Sequence, residues 1–303
     1  MDFWVLIYAL SMIGDRATNK LTSVVMDGES RSTYYSHCMI RSLAACLFFF
    51  MLGGFSISIN AKTLLFSLGY GLAILAHIFI GLFSLRFMNV LGAGILSTPP
   101  NLILTAIMGV LLWNEEITAS KYIAIILTSI SALLMFIDIR NTGKKSAEDK
   151  NGSGRVNFKA YIPLMLLSVV FSVMQSLFLK AFAVSTDVTD ENSFYFLTNL
   201  VILAFGVVML IIHSFKDRSE IRVGLKSFFT VKRAIPTSVN VLLGNVAAIA
   251  LIPILAEVDI STFTPVSSAF SIVVGIFVSL LFKEKLGIFS YIAALVAIAA
   301  MFV

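Results

Sequence analysis

The sequence predicts an all-α integral membrane protein, with ten transmembrane helices arranged as two inverted five-helix repeats. Three observations predict this class: the composition, the spacing of the apolar runs and a partial internal duplication. Hydrophobic residues make up 58% of the 303 residues and charged residues only 13%, and the mean hydropathy is +0.96. An ordinary soluble domain is about 25% charged. A water-soluble enzyme of this composition would lack the polar side chains that cover a surface in water.

The apolar runs follow one another at the spacing of membrane-spanning helices, each of which needs about 20 apolar residues. The first run occupies residues 1–25 and contains Asp15, Arg16 and Lys20. The others are free of Asp, Glu, Lys and Arg, and they cover residues 42–61, 63–85, 87–114, 122–137, 160–179, 192–215, 234–256, 260–282 and 286–303. The run 122–137 can extend by a turn at either end.

The two halves of the chain resemble each other around a polar linker. The first five-helix repeat is predicted over residues 1–140, the linker over 141–158 and the second repeat over 159–303. An odd number of helices per repeat forces the second copy to enter the membrane from the opposite side, which is a common architecture of secondary transporters. The matched positions are Asp15 with Gln175, Lys20 with Lys180, Thr98-Pro99 with Thr264-Pro265, Asn101 with Ser267, Gly109 with Gly275, and Glu115 with Glu284.

Several motifs give the chain a family resemblance along its whole length. They are the polar end of span 1 (Gly14 to Lys20), the proline-containing span 4, the LLWNEE turn into span 5 and its second copy, LLFKEKLG. The sequence resembles the drug/metabolite transporter superfamily, in particular its EamA-like members. The resemblance implies a carrier that works by alternating access without ATP, and the chain has no GxxxxGK[ST] phosphate loop.

Two polar groups inside apolar runs are candidates for proton coupling. Charges within a membrane are costly and therefore indicate function by default. Asp15 is a carboxylate within the first run, and a carboxylate buried among apolar groups can take up a proton. His77 lies in the middle of span 3, and histidine is a side chain type that commonly relays protons. Both have structural alternatives, since Asp15 can instead be a solvated loop residue and His77 can simply bond a neighbouring helix.

A larger set of polar residues is predicted to bind substrate. Lys20 and Lys180 would bind a carboxylate or phosphate group, although lysines near helix ends also reach the headgroups without any ligand. The remaining candidates share a place on apolar helices, where they would line a cavity: Asn19, Asn101, Gln175, Asn240, Asn245, Thr264 and Ser267.

Other polar or helix-breaking residues receive structural interpretations. Glu115, Glu116 and Glu284 lie where one span turns into the next, so each is expected to cap the N-terminus of the following helix. The prolines of spans 4 and 9 are Pro99, Pro100 and Pro265, and they are expected to kink these helices or to expose backbone carbonyls. Cys38 and Cys46 imply no disulfide framework.

The function predicted from these features is secondary active transport, most simply proton-coupled export of a small metabolite, amino acid or drug. The alternatives are an obligate exchanger of anionic substrates, such as nucleotide sugars or phosphorylated sugars, and a lipid-carrier flippase. No enzyme, cofactor, metal or nucleic acid is expected. The expected partners are the substrate, protons and the lipid bilayer, with the chain as a monomer or homodimer.

The expected location is a bacterial inner membrane, with the orientation left open. Lys and Arg are concentrated in the linker 141–158 and in the loop 214–233. The positive-inside rule therefore favours both termini outside, whereas the family resemblance implies termini in the cytoplasm.

Overall fold

The fold is helical, as the sequence predicts. The computed structural model describes residues 2–26, 31–84, 97–148, 158–185, 190–214, 231–281 and 286–303, and these ranges contain ten helices and no strand. The helices are α1 Asp2–Met26, α2 Arg31–Leu52, α3 Ala61–Ser84, α4 Thr98–Trp113, α5 Ala119–Glu148, α6 Phe158–Ala183, α7 Glu191–Ser214, α8 Val231–Glu257, α9 Ile260–Leu281 and α10 Ile288–Met301. Helix α5 continues well into the segment that composition marks as the linker.

Half of these helices contain a segment long and apolar enough to cross a bilayer. These segments are Ala119–Asp138, Ile162–Ala183, Glu191–Met209, Thr237–Glu257 and Ile260–Leu281. The other helices carry shorter apolar segments, which are Phe3–Asp15, Arg41–Leu52, Ala61–His77, Thr98–Trp113 and Ile288–Met301. The chain is therefore a multi-pass helical membrane protein.

Helix α5 shows why these helices suit hydrocarbon rather than water. Its large apolar side chains point outward at helical spacing: Ile123, Ile126, Ile130, Leu133 and Ile137 are all exposed. Its opposite face is buried and consists largely of small or polar side chains, namely Ala124, Thr128, Ser131, Ala132 and Asp138, together with Met135. Large apolar patches on a protein surface mark contact with an apolar partner, and small residues at helix interfaces are typical of membrane proteins.

The chain forms two compact units, and each unit contains segments from both halves of the sequence. The first unit comprises Met1–Leu72 and Phe178–Ala256. The second unit comprises Ala73–Leu177 and Glu257–Val303.

In the first unit, α2 packs against α7 through aromatic rings and backbone contacts. The Phe49 and Tyr195 rings stack with centroids 5.0 Å apart. The Tyr195 hydroxyl donates a hydrogen bond to the Ala248 carbonyl of α8 at 2.6 Å. The Ser67 hydroxyl of α3 donates to the Phe194 carbonyl at 3.0 Å. The start of α7 therefore holds α2, α3 and α8 together.

In the second unit, α5, α9 and α10 share a core of small and branched side chains. Helix α5 contributes Ala132 and Met135, and the other two helices contribute Ala269, Ile272, Ile276, Ala293, Ala297 and Ala300. The alanines let the helix backbones approach closely. The Ser131 hydroxyl uses this approach to donate a hydrogen bond to the Ala293 carbonyl at 2.7 Å.

Glu115 caps a helix in the second unit, but that helix is not the one that follows it. Its two carboxylate oxygens accept the backbone N–H groups of Ile260 and Ser261, at 2.8 and 2.9 Å. The cap function predicted from sequence is thus correct, whereas the predicted helix, α5, is wrong. Asn114 ends α4 in the left-handed region, with a φ of 52°, so the chain turns sharply and the buried carboxylate reaches the N-terminus of α9. The neighbouring Glu116 is exposed, and Glu284 lies outside the described residues.

Asp138 makes a second cap of the same kind. This buried residue lies within α5, and its Oδ2 accepts the Gly287 N–H at 2.8 Å and the Ser290 hydroxyl at 2.5 Å. Gly287 is the N-cap residue of α10. Both caps place a carboxylate at the positive end of a helix dipole, where the first N–H groups have no partner within the helix.

The prolines of span 4 do not interrupt a helix. Pro99 and Pro100 lie in the first turn of α4, which begins at Thr98. A proline is tolerated there because the first N–H groups of a helix have no intrahelical acceptor. The expected kink is therefore wrong for these two residues. Pro265 does lie inside its helix, α9, and is buried there.

We expect Glu115→Gln to lower the free energy of unfolding by about 1–3 kcal/mol, because one of the two N–H groups at the start of α9 loses its acceptor. Glu116→Gln is the matched control and should stay within about 0.5 kcal/mol of the wild type, since that side chain is exposed. Unfolding of the purified chain in mixed detergent micelles measures both. Equal effects of the two variants would show that the cap contributes nothing.

A second pair of variants tests how tightly the Glu115 carboxylate is enclosed. A Cβ on Gly109 would lie 2.6 Å from Oε2 of Glu115 and 3.1 Å from Cγ2 of Ile260. The matched residue in the other half, Gly275, has no described atom within 4 Å of such a Cβ.

We therefore expect Gly109→Ala to destabilise the protein by about 1–3 kcal/mol through overpacking. Gly275→Ala should stabilise it by about 0.5–1 kcal/mol, because alanine favours the helix. The same unfolding measurement compares the two variants. A stable Gly109→Ala protein would contradict the close approach of the carboxylate to α4.

Candidate functional site

Two polar residues that the sequence nominates separately meet in the first unit. The Asn240 side-chain amide of α8 donates to Oδ1 of Asp15 on α1 at 2.7 Å. It also lies 3.2 Å from both the Asp15 carbonyl and the Thr18 hydroxyl oxygen. Asn240 is buried and Asp15 is half-buried. A carboxylate from one apolar helix is thus held by an amide from another.

The local sequence lets α1 and α8 approach closely enough for this contact. A Cβ on Gly14 would lie only 2.6 Å from Cδ1 of Leu243, so no larger residue fits there without a shift. The Thr18 hydroxyl donates back to the Gly14 carbonyl at 2.8 Å, which leaves its oxygen available to accept the Asn240 amide. Gly14 and Thr18 therefore position the carboxylate and its partner from within α1.

A cation and the Asp15 carboxylate approach the same glycine, one turn beyond Asn240. Oδ1 of Asp15 lies 3.4 Å, and Nη2 of Arg41 3.6 Å, from the point that a Cβ on Gly244 would occupy. Arg41 belongs to α2 and its side chain is exposed. We call Asp15, Asn240, Gly244 and Arg41 the charged site. It combines an acceptor that can bind a proton or a cation with a planar donor suited to a carboxylate or phosphate.

In the second unit, His77 and Gln175 form contacts between α3 and α6. Nδ1 of His77 lies 3.0 Å from the Ser168 carbonyl and 3.1 Å from the Ser168 hydroxyl. The Gln175 amide donates to the Ala73 carbonyl at 3.4 Å. Both side chains are half-buried. A histidine bonded to a hydroxyl can pass on a proton, but these same contacts also hold two helices together.

Lys180 is buried in the first unit, where its amine donates to the Leu255 carbonyl at 2.6 Å. Leu255 lies in the last turn of α8, where the backbone carbonyls receive no hydrogen bond from the N–H groups of the same helix. A cation is favourable at this negative end of the helix dipole. The contact gives Lys180 a structural role, and its substrate role stays a prediction.

The other nominated residues are not joined to the charged site by any described hydrogen bond. Asn101 and Asn245 are half-buried, and each has one buried polar atom, Oδ1 and Nδ2 respectively, with no partner among the described residues. Thr264 and Ser267 are half-buried on α9. The side chains of Asn19 and Lys20 lie outside the described residues.

Arg41 and Asp138 are two charged residues that sequence reasoning missed. Each lies next to an apolar run rather than inside it, so counting charge-free stretches treats both as boundaries. The position of Asp138 along the helix could have identified it as buried. Asp138 follows Ser131 by two helical turns, and both lie on the buried face of α5. No group of three or more His, Cys, Asp or Glu residues in the described ranges could hold a metal ion.

The fold occurs elsewhere among solved structures, whereas neither a family model nor a curated protein matches the sequence. One similar structure, described only as the crystal structure of a protein, superposes with a TM-score of 0.65. The match covers 99% of this chain and 96% of that one at 12% sequence identity. This similarity establishes a shared fold along nearly the whole chain.

We expect Asn240→Leu to lower the free energy of unfolding by about 1.5–3 kcal/mol, because it removes a buried hydrogen bond to a charged acceptor. Asn245→Leu is the matched control on the same helix. It should be neutral or stabilising, since the buried amide nitrogen of Asn245 has no described partner. Unfolding in mixed micelles compares the two, and an Asn245→Leu loss as large as that of Asn240→Leu would contradict the assigned contacts.

Proposed function

We propose that this chain is a secondary active transporter that exports a small polar metabolite, amino acid or drug by alternating access, in exchange for protons. The observation that carries the proposal is the Asp15 carboxylate at the end of the apolar segment Phe3–Asp15 of α1, held by the Asn240 amide within the apolar segment Thr237–Glu257 of α8. An ionisable group in such a position costs several kcal/mol unless its surroundings compensate for it. Ion and proton pathways are the usual reason that membrane helices retain one.

Sequence repetition and resemblance support the same class of protein. The matched halves, residues 1–140 and 159–303, would form inverted five-helix repeats, and the ten helices would each span the membrane. Inverted repeats place a substrate site near the midplane and allow it to face either side in turn. The resemblance to EamA-like members of the drug/metabolite transporter superfamily adds export across a bacterial inner membrane to the proposal.

The chemistry of Asp15 suits exchange of a proton for a substrate. When ionised, its carboxylate accepts the Asn240 amide and attracts a cationic group. When it is protonated that charge is lost, and with it the attraction for the cation. A proton and a substrate cation therefore compete for one group. Such competition couples two gradients only if the two ligands favour different states of the carrier. His77, bonded to Ser168, is a second place for the proton.

The buried lysine favours a second function, obligate exchange of anionic substrates. Lys180 is a buried cation in the last turn of α6, and a phosphate or carboxylate is its natural ligand. Such a substrate would have to replace or share the bond from the Lys180 amine to the Leu255 carbonyl. An exchanger of this type has no requirement for Asp15 as a proton acceptor.

Proton flux into proteoliposomes tests the proposal, with a pH-sensitive dye inside and amino acids, sugars, nucleotides and cationic drugs offered in turn. We expect at least one compound class to drive proton movement in the wild type. Asp15→Asn should reduce that flux to the level of empty liposomes, because an amide cannot take up the proton. Glu116→Gln removes an exposed carboxylate and should leave the flux unchanged.

Other outcomes separate the alternatives. Uptake of a labelled compound without proton movement, and only with the same compound inside, would establish the exchanger instead. Proton flux that survives Asp15→Asn but is lost in His77→Ala would move the coupling site to α3. No flux with any compound would contradict the carrier of soluble substrates and leave the lipid-carrier flippase.

A further inference from the structure

The loop between α2 and α3 carries large apolar side chains that the described part of the chain leaves mostly uncovered. Phe55 is 69% exposed and Ile59 is 65% exposed. We propose that loop 53–60 anchors the protein at the membrane interface, with Phe55 and Ile59 inserted at the boundary between the lipid headgroups and the acyl chains. This inference concerns a lipid-contacting surface and does not depend on the proposed transport function.

The sequence of this loop suits the membrane interface better than water. Residues 42–61 contain no Asp, Glu, Lys or Arg. The loop itself alternates apolar and small polar residues, in the order Phe55, Ser56, Ile57, Ser58, Ile59 and Asn60. Such alternation gives an extended segment one apolar side and one polar side. A segment of this kind matches a boundary where hydrocarbon meets hydrated headgroups.

A contact with α7 fixes the level of the loop relative to a membrane span. The Ser58 N–H donates to the Ser193 hydroxyl at 2.8 Å. Ser193 is the third residue of Glu191–Met209, a segment long and apolar enough to cross a bilayer. At a rise of about 1.5 Å per residue, Ser193 lies only about 3 Å along the helix axis from the start of that segment. The loop is therefore attached at the end of a candidate span, where hydrocarbon gives way to headgroups.

The polar start of α7 marks the headgroup side of this level. The Ser193 hydroxyl donates to the Asp190 carboxylate. The other oxygen of Asp190 accepts the Asn192 and Ser193 N–H groups at 3.1 and 3.2 Å. A charged side chain is costly within hydrocarbon, so this cap belongs at the headgroups. Loop 53–60 is bonded directly beside it.

The backbone holds Phe55 in a conformation that is unusual for a bulky residue. Helix α2 ends in a Schellman motif, in which the Gly54 N–H donates to the Met51 carbonyl at 3.1 Å. The Phe55 N–H donates to the Phe50 carbonyl at 2.9 Å. Gly54 is left-handed, with a φ of 66°, as this motif requires. Phe55 is left-handed as well, with a φ of 61°, and strained residues of this kind persist where their surroundings hold them and often serve a function.

The Phe55 ring is positioned by a neighbour but is not buried by it. It meets the Phe50 ring edge to face, with the centroids 5.6 Å apart. The Phe50 ring in turn lies 6.0 Å from that of Phe196 on α7. A large apolar side chain that stays exposed in water gains nothing from the hydrophobic effect. Contact with acyl chains would supply the apolar surroundings that the described residues do not.

The loop also continues an apolar stripe of α2. Leu43, Leu47 and Met51 are exposed and follow one another at four-residue spacing, so they share one face of the helix. They belong to the apolar segment Arg41–Leu52, and an apolar stripe on a membrane protein suits contact with lipid. Phe55 comes immediately beyond the end of this helix. Lipid is therefore the partner that the loop shares with the helix before it.

Tryptophan fluorescence in phosphatidylcholine vesicles tests the anchor. The full chain first receives Trp4→Phe and Trp113→Phe, which remove both native tryptophans, and Phe55→Trp then supplies a single probe. We expect lipid brominated near the headgroup end of its acyl chains to quench roughly half or more of this fluorescence, because an interfacial residue lies about 5–10 Å into the bilayer. Lipid brominated near the bilayer centre should quench less, and iodide in the water should quench little.

Variants at neighbouring and distant positions locate the effect. Ile59→Trp in the same background should behave as Phe55→Trp does. Adding Phe55→Asn to Ile59→Trp should reduce the quenching by brominated lipid, because asparagine tolerates the left-handed backbone but lacks the apolar ring. Glu116→Trp is the matched control, since Glu116 is an exposed charged residue of another turn between helices. Its fluorescence should respond to iodide rather than to brominated lipid.

Three results would overturn the proposal. Quenching of Phe55→Trp by iodide but not by brominated lipid would place the loop in water. Emission at the short wavelength of a buried tryptophan, with quenching by neither reagent, would show that protein covers the loop, such as a second copy of the chain. Equal quenching of Phe55→Trp and Glu116→Trp by brominated lipid would show that loop 53–60 is no more anchored than another turn.

Discussion

Hydrocarbon neither donates nor accepts hydrogen bonds, so a charged group that a membrane helix carries inward is costly unless it finds a partner within the protein. In the described part of the chain, the buried charged side chains have such partners at helix ends. Glu115 and Asp138 accept groups at the N-termini of α9 and α10, and Lys180 donates to a carbonyl in the last turn of α8. Acids at positive helix ends and a base at a negative end also match the helix dipoles. These contacts join segments that are far apart in the sequence.

Asp15 differs from Glu115 and Asp138 in the kind of partner that holds its carboxylate. Glu115 bonds backbone N–H groups that belong to a packed helix and cannot leave it. The Asp15 side chain, by contrast, accepts a hydrogen bond from a side-chain amide, that of Asn240. A guanidinium, that of Arg41, approaches the same place beside Gly244. A carboxylate that caps a helix is held by backbone groups, whereas Asp15 is held by a side chain, and a side chain can change its rotamer without unfolding a helix.

The sequence was sufficient for the helical class and for individual site residues, but not for their pairing. Long apolar runs determine helices because their composition excludes water, and Asp15 and Asn240 stand out as polar groups within such runs. Their contact joins residues 225 positions apart, and no local pattern specifies it. The helix predicted for the Glu115 cap was wrong for the same reason: its position in the sequence indicated a cap, but tertiary packing places the carboxylate at the N-terminus of α9 rather than α5. Arg41 and Asp138 escaped notice because a charge at the edge of an apolar run resembles the end of a helix.

The sequence predicts that the two halves are copies of each other, and positions that this prediction matches make different contacts in the structure. Asp15 corresponds to Gln175, and the two side chains make different contacts: the acid accepts an amide from Asn240, whereas the amide donates to the Ala73 carbonyl. Gly109 and Gly275 also correspond, yet only Gly109 is enclosed by a carboxylate in the described part of the chain. A second carboxylate at position 175 would add the cost of another ionisable group in the membrane. Under the predicted duplication, one copy therefore keeps the charge that the proposed function needs, and the other has a neutral amide at the matched position that contacts a neighbouring helix.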